Sequence, residues 1–103
     1  MKMIKHIVMF KFKEEANGNA KAENLAQAMF RAKEMNETID CKISIRPMLN
    51  VKSSDDRNFD FVLLCEFESI EQLEQYKVHP VHVAFGKFIT PLRESRACID
   101  YEV

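Results

Sequence analysis

Residues 59–86 read FDFVLLCEFESIEQLEQYKVHPVHVAFG, and the fold is decided here. Phe59, Phe61, Leu63, Cys65 and Phe67 alternate with Asp60, Val62, Leu64, Glu66 and Glu68. Period-two alternation of aromatic and branched residues predicts a strand. One face is wholly apolar; the other is apolar only at Val62 and Leu64. Ser69-Ile70-Glu71-Gln72 then fits a capping box, in which the Ser hydroxyl takes an amide of the first turn and the Gln side chain reaches back. Ile70, Leu73 and Tyr76 share a face of the helix that follows. Pro80 ends or kinks it, because Pro has no amide to donate and pushes residue 79 out of the α region. Pro is also a good first residue for a second helix, which Val81, Ala84, Phe85, Phe88 and Leu92 continue at helical spacing.

The break between these helices holds His79 and His82, two of the chain's three histidines. Gly86 lies one turn beyond His82. Gly inside a helix costs roughly 1 kcal/mol against Ala. Close packing of that turn against a strand is the commoner reason for such a residue; space left for a ligand beside His82 is the functional one.

Upstream, residues 3–12 give a second strand, with Ile4, His6, Val8, Phe10 and Phe12 on one face and Lys5, Ile7, Met9 and Lys11 on the other. Asn17-Gly18 is a hairpin dipeptide, but no alternating strand follows it. Ala22, Leu25, Met29, Ala32 and Met35 instead predict a helix over about residues 20–36. Ile43, Ile45, Leu49 and Val51 alternate as a further strand interrupted by Pro47, which suits an edge. A polar loop, residues 53–58, leads into the Phe59 strand. Residues 96–103 close the chain as a strand with Ala97, Ile99, Tyr101 and Val103 on one face.

The order is β-α-β-β-α-β, the ferredoxin-like α+β motif, in one domain spanning residues 1–103. Right-handed crossovers predict a four-stranded antiparallel sheet in the order last, first, third, second, with both helical segments on one face. Two expectations follow. The uncovered face still carries Ile7, Met9, Val62, Leu64, Ile99 and Tyr101, an apolar patch that a second copy would bury, so a homodimer through the open sheet is expected. His6, by contrast, lies on the helix-facing side. It is about three residues, or ~10 Å, above the start of its strand. Tyr76 is about two turns, or ~10 Å, above the start of its helix, at the same end of the sheet. Tyr76, His82 and His6 therefore meet between sheet and helices. The pocket they share has apolar walls from Val8, Phe10, Phe61, Leu63, Phe85 and Ile89.

Composition narrows the partners. Lysines and arginines number 15 against 16 acids, for a net charge of −1, and no basic block occurs. Nucleic acid and anionic membranes are thus not expected partners. No transmembrane stretch and no signal-peptide core is seen. Cys41, Cys65 and Cys98 lack metal-type spacing, and an odd count without a secretory signal predicts reduced thiols in the cytoplasm.

The residue chemistry leaves several readings of the histidines and Tyr76 open. An imidazole titrates near pH 6.5 and can take a proton while a phenol donates to a carbonyl or enolate. Histidines three residues apart with a third from a strand could hold a metal, but no well-placed carboxylate is evident, so neither metal nor cofactor is expected. No nucleophile motif occurs. A hydrogen-bonded core histidine beside a helix corner is the structural alternative.

Residues 4–13, IKHIVMFKFK, resemble the opening of the stress-responsive α/β-barrel (Dabb) domain family. Phe67-Glu68-Ser69 followed by residues 76–86, YKVHPVHVAFG, is similar to its second signature, and Asp100-Tyr101 to its closing strand. The resemblance spans nearly the whole chain and implies a dimeric α+β barrel. The family's best-understood type of activity, that of a plant polyketide cyclase, implies that His82 acts as base in an aldol-type ring closure. Tyr76 then orients or polarises a substrate oxygen, His6 lines the same pocket, and His79 serves the helix corner. The chain departs from the cyclase type at Phe61, where that type has a pocket histidine, and at Ala28 and Met29, in place of a tyrosine. Arg93 and Arg96 stand where it has aromatic and aliphatic walls. The expected protein is a small cytoplasmic homodimer that binds a small, partly apolar, carbonyl-bearing molecule. A non-catalytic stress-associated or ligand-binding protein is the alternative.

Overall fold

The computed structural model describes residues 2–103. Its elements run β1 (Ile4–Phe12), β2 (Glu15–Ala16), β3 (Asn19–Ala20), α1 (Lys21–Thr38), β4 (Ser44–Leu49), β5 (Phe61–Phe67), α2 (Ile70–Val78), α3 (Pro80–Ile89) and β6 (Arg93–Glu102). Four strands form one sheet in the order β4-β5-β1-β6, antiparallel throughout. This is the ferredoxin-like α+β arrangement that right-handed crossovers require, and Pro47 sits in the edge strand β4.

The core lies between the sheet and the helices. Ile4, Val8, Phe10 and Phe12 from β1 and Phe61, Leu63, Cys65 and Phe67 from β5 are buried there, together with Leu73, Tyr76, Phe85 and Ile89 from the helices. Phe61 joins Phe10, Phe12 and Phe85 at ring-centroid separations of 5.9, 6.1 and 6.5 Å. The opposite sheet face stays open, with Met9, Met48, Ile99 and Tyr101 exposed and Ile7, Val62 and Leu64 half-buried.

Several elements differ from the sequence reading. Asn17 and Gly18 both take positive φ, 54° and 80°, and close a hairpin with arms of only two residues. Both signs of φ are those of a type I′ turn, which needs no long alternating strands beside it. The hairpin is anchored by Asn24, whose side-chain amide donates to the carbonyls of Ala16 and Asn19 at 3.2 and 3.4 Å. That contact turns α1, so its buried stripe is Asn24, Ala28, Ala32 and Met35, and Ala22 faces solvent. β5 begins at Phe61 rather than Phe59; just before it, the Asp60 carboxylate accepts from the Phe12 amide at 2.8 Å. Ile43 and Val51 fall outside β4 and are exposed.

The capping box at α2 forms with one change of partner. Ser69 Oγ accepts from the Gln72 amide at 3.2 Å, and Gln72 Oε1 accepts from the amide of Glu68 at 2.8 Å. His79 closes α2 and caps α3, its Nδ1 accepting from the Val81 amide at 3.1 Å, with Pro80 at the first position of α3.

Asn24 is 2 % exposed, so replacing it strands two hairpin carbonyls. Asn24→Leu, which keeps the branching of the side chain but has no polar atoms, is expected to lose about 1–3 kcal/mol, measured by urea unfolding. An unchanged midpoint would mean that the hairpin is held by other contacts.

Candidate functional site

The register between β1 and β6 sets the floor of the site. It pairs His6 with Asp100, Val8 with Cys98 and Phe10 with Arg96, all on the helix-facing side. α2 and α3 supply the roof through Tyr76, His82, Phe85 and Ile89. Between them lies a partly enclosed cavity of about 140 Å³, lined by His6, Val8, Phe10, Leu63, Tyr76, His82, Phe85, Gly86, Ile89, Thr90, Arg93 and Arg96. Larger hollows along α1, at Gln27 and Phe30, and on the open sheet face, at Met9 and Val62, are more open to solvent.

Of the nine positions expected at the site, eight line this cavity. Phe61 does not. It pairs with Phe10 on the strand further from β6, and the Phe10 and Phe85 rings stand beside it, so its place is the core. His79 is occupied with capping α3.

His6 is 5 % exposed and its Nδ1–H donates to the Asp100 carboxylate. Cys98 Sγ lies 3.5 Å from the same nitrogen. The His6 ring meets the edges of Phe67 and Tyr76 at 6.4 and 6.1 Å. The partner that a buried imidazole requires is therefore an acid on the adjacent strand, not the helix corner. His6, Cys98 and Asp100 place one donor atom each within 4.8 Å of one another. Such a nitrogen, sulfur and oxygen set has the chemistry of a borderline divalent metal. With no ion bound, burial and the Asp100 carboxylate raise the Cys98 thiol above its usual value.

His82 is half-buried, and its Nδ1–H donates to the Lys77 carbonyl at 3.1 Å. That bond fixes the tautomer and leaves the lone pair on Nε2. Burial holds its pKa below the ordinary imidazole value, more than the Lys77 carbonyl raises it, and the charges of His6, Arg96 and His79 push the same way. At neutral pH His82 is thus an uncharged ring able to accept a proton.

Tyr76 lies between the two imidazoles, its ring 4.2 Å from that of His82. It is fully buried. Its hydroxyl has the Cys65 thiol as a neighbour but no partner in hydrogen-bond geometry. Burial pushes this phenol far above its ordinary pKa and the Cys65 thiol to about 12, so both stay protonated. An unpaired buried hydroxyl is costly and rare. The Tyr76 ring forms part of the cavity wall, while its hydroxyl is packed away from the free space.

Gly86 adopts ordinary helical φ, and a Cβ placed on it would meet nothing within 4 Å. Its missing side chain is therefore not a packing requirement of the helix against the sheet. It leaves free space one turn from His82. Thr90 closes that end, its hydroxyl donating to the Gly86 carbonyl at 2.7 Å.

The sequence reading did not assign Asp100, Cys98 or Thr90 to the site, and it noted Arg93 and Arg96 only as departures from the cyclase type. The readable signal for Asp100 was its place in the closing Asp-Tyr pair. Its partnership with His6 depends on strand register, which the terminal strand's own pattern does not specify.

The chain is 25 % identical to olivetolic acid cyclase of Cannabis sativa over 104 residues, covering 95 % of this chain and 94 % of the cyclase. Its fold matches a dimeric protein of ferredoxin-like fold from Bacteroides fragilis, with a TM-score of 0.84, 31 % identity and coverage of 98 % and 96 % of the two chains. It also matches hydroxynitrile lyase from Passiflora edulis, with a TM-score of 0.80, 13 % identity and coverage of 98 % and 93 %. At that identity the likeness is one of fold alone. Residues 4–103 match the stress responsive A/B barrel domain, and the chain belongs to that family.

Proposed function

We propose that this protein is a homodimer that binds a small, partly apolar carbonyl compound and performs acid–base chemistry on it without metal or cofactor. His82 Nε2 takes a proton from the carbon beside the carbonyl, and Tyr76, in the cavity wall, orients the oxygen as it gains enolate character. The C–H bond breaks, the N–H bond forms, and the electron pair moves to the oxygen. His6, oriented by Asp100, lines the same cavity. One observation carries the reading: a half-buried neutral imidazole with its Nδ1–H tied off lines a small cavity, its ring centroid 4.2 Å from that of a fully buried phenol. The similarity to olivetolic acid cyclase supports it. The reading that the histidines are structural and the protein only binds its ligand draws on the same bonds, since His6–Asp100 and His82–Lys77 are also how buried imidazoles satisfy themselves.

The dimer reading rests on the open face of Met9, Met48, Ile99 and Tyr101 and on the dimeric relative from Bacteroides fragilis. A reducing, cytoplasmic setting fits three free cysteines, and among the described residues no helix is long and apolar enough to cross a membrane.

His82→Ala is expected to lower α-proton exchange of a β-keto substrate, followed by NMR in D2O, by roughly 100-fold or more. Its thermal unfolding should show a loss of no more than about 1 kcal/mol. A large stability loss with exchange retained supports the structural reading instead. Gly86→Leu separates the two in another way: it should hold or raise thermal stability while abolishing ligand binding, because the new side chain enters the cavity.

The pH dependence has a definite sign. The pKa of His82 is depressed in the folded chain, so its contribution to stability is complete above the unfolded value near 6.5 and is lost as pH falls through it toward the folded value. The acid limb of the rate profile should accordingly lie below 6.5, and His82→Ala should remove that limb from any residual rate.

For the interface, Val62→Glu or Leu64→Glu is expected to give monomers or aggregates in sedimentation experiments, because a buried unpaired charge is costly. A monomeric unaltered protein at micromolar concentration would overturn the dimer. Protein purified without a histidine tag should carry substoichiometric zinc; one tightly held zinc per chain would move His6, Cys98 and Asp100 from dyad to metal site.

A further inference from the structure

The strand β6 changes register against β1 at one point. Ser95 pairs with Lys11, but Phe12 pairs with Arg93, not with Glu94. The extra residue is a β-bulge, a device that re-aims side chains. Without it, strict alternation would put Arg96 on the helix-facing side with Phe10 and send Arg93 to the open face with Ser95 and Ala97. With it, Arg93 shares the face of the core residue Phe12, and both arginines line the cavity of His82 and Tyr76.

Neither arginine has an acidic partner. The ion pairs among the described residues use Lys2, Lys5, His6, Lys11, Lys21, Arg57 and Lys77, never Arg93 or Arg96. The nearest carboxylate on the same face, Asp100, is committed to His6. Arg93 is half-buried, and the charge of Arg96 reaches His82, Tyr76 and Cys98. Two unpaired guanidinium groups thus stand at one small cavity in a chain whose net charge is −1. A planar guanidinium matches a carboxylate in geometry as well as charge.

The free space sets the size of the ligand. A cavity of about 150 Å³ lined by apolar side chains holds a molecule such as benzene, and the present one is about 140 Å³. It suits a short oxo acid, and a long polyketide chain would not be enclosed by it.

We propose that the ligand is a small oxo-carboxylate, held by its carboxylate on Arg93 and Arg96. Its short apolar body packs against Val8, Phe10, Leu63, Phe85 and Ile89. Its carbonyl oxygen lies on the Tyr76 side of the cavity, and its activated C–H faces His82. This rests on the acid–base reading of the cavity and adds the charge and size of the substrate.

The test compares 2-oxopentanoate with its methyl ester, which has nearly the same shape and no charge. Binding is followed by ligand-observed NMR and C3 proton exchange in D2O. The unaltered dimer is expected to bind the acid about tenfold or more tighter than the ester, with the preference falling as salt rises. Arg96→Gln, at an exposed position, should reduce the preference, and Arg93→Gln with Arg96→Gln should abolish it. Arg93→Lys should restore part of it, which shows that charge and not packing is read. If the ester binds as well as the acid, and His82→Ala still stops exchange, the oxo-acid inference falls and the acid–base reading stands. If the double variant keeps the preference, the arginines are not the anion site. If neither probe binds at millimolar concentration, both readings fall together.

Discussion

β6 pairs with β1 from Ile4 to Phe12, and that ladder determines what the cavity is made of. β1 alone would give the site an imidazole among phenylalanines. An unpaired imidazole is expensive to bury in such surroundings. The adjacent strand resolves the problem with Asp100, and the same register places Cys98 and Arg96 along the cavity side. One bulge later it adds Arg93. A one-residue slip of β6 would exchange Asp100, Cys98 and Arg96 for Tyr101, Ile99 and Ala97, and the cavity would lose its acid and a cation together. The closing strand therefore contributes chemistry to a core that β1, β5 and the helices already build.

Both imidazoles are held in the same way. Each donates through Nδ1, His6 to a carboxylate and His82 to a backbone carbonyl. Their electrostatic settings differ. His6 has a negative group against its ring, whereas His82 has only a neutral carbonyl and feels the positive field of Arg96. The first setting favours a fixed orientation, the second a neutral base. Between them, Tyr76 keeps its proton and lacks a partner. A folded chain optimised for stability alone would have paired that hydroxyl or replaced it with Phe.

Much of this was legible in the residue pattern. Clean alternation in residues 3–12 and 59–67, the Ser69 cap and the Pro80 break mark the element order, and topology rules arrange the sheet. His6, Tyr76 and His82 were placed together from helical rise and strand rise alone. Features that depend on a single local contact escaped. The phase of α1 follows from Asn24 turning inward to two hairpin carbonyls, a polar residue taking a core position. Phe61 was assigned to the pocket because alternation shows which face a residue occupies but not how far along the sheet the cavity extends. Alternation does not place Arg93 for the opposite reason: a bulge breaks it, nothing in Arg-Glu-Ser-Arg marks where, and only the family resemblance puts Arg93 at a wall position. Gly86 was read with packing as the commoner cause, and only the space around its Cα distinguishes that from an opening.

The two faces of β1 carry different burdens, and they are coupled. His6, Val8 and Phe10 point to the cavity, while Ile7 and Met9 point to the open face. Adjacent residues of one strand cannot shift independently, since each shares its backbone and its ladder bonds with the next. A partner seated on Ile7, Met9, Val62 and Leu64 would therefore fix the backbone that carries His6 on the other side. The central position of β1 and β5 in the sheet strengthens this coupling, because both strands are paired along both edges and neither can fray. Arg93 and Arg96 sit on the edge strand β6, paired on one side only, where the backbone has more freedom. The orienting pair of the site thus has its imidazole on the most constrained strand of the sheet. Its cations lie on the strand best able to adjust to a ligand.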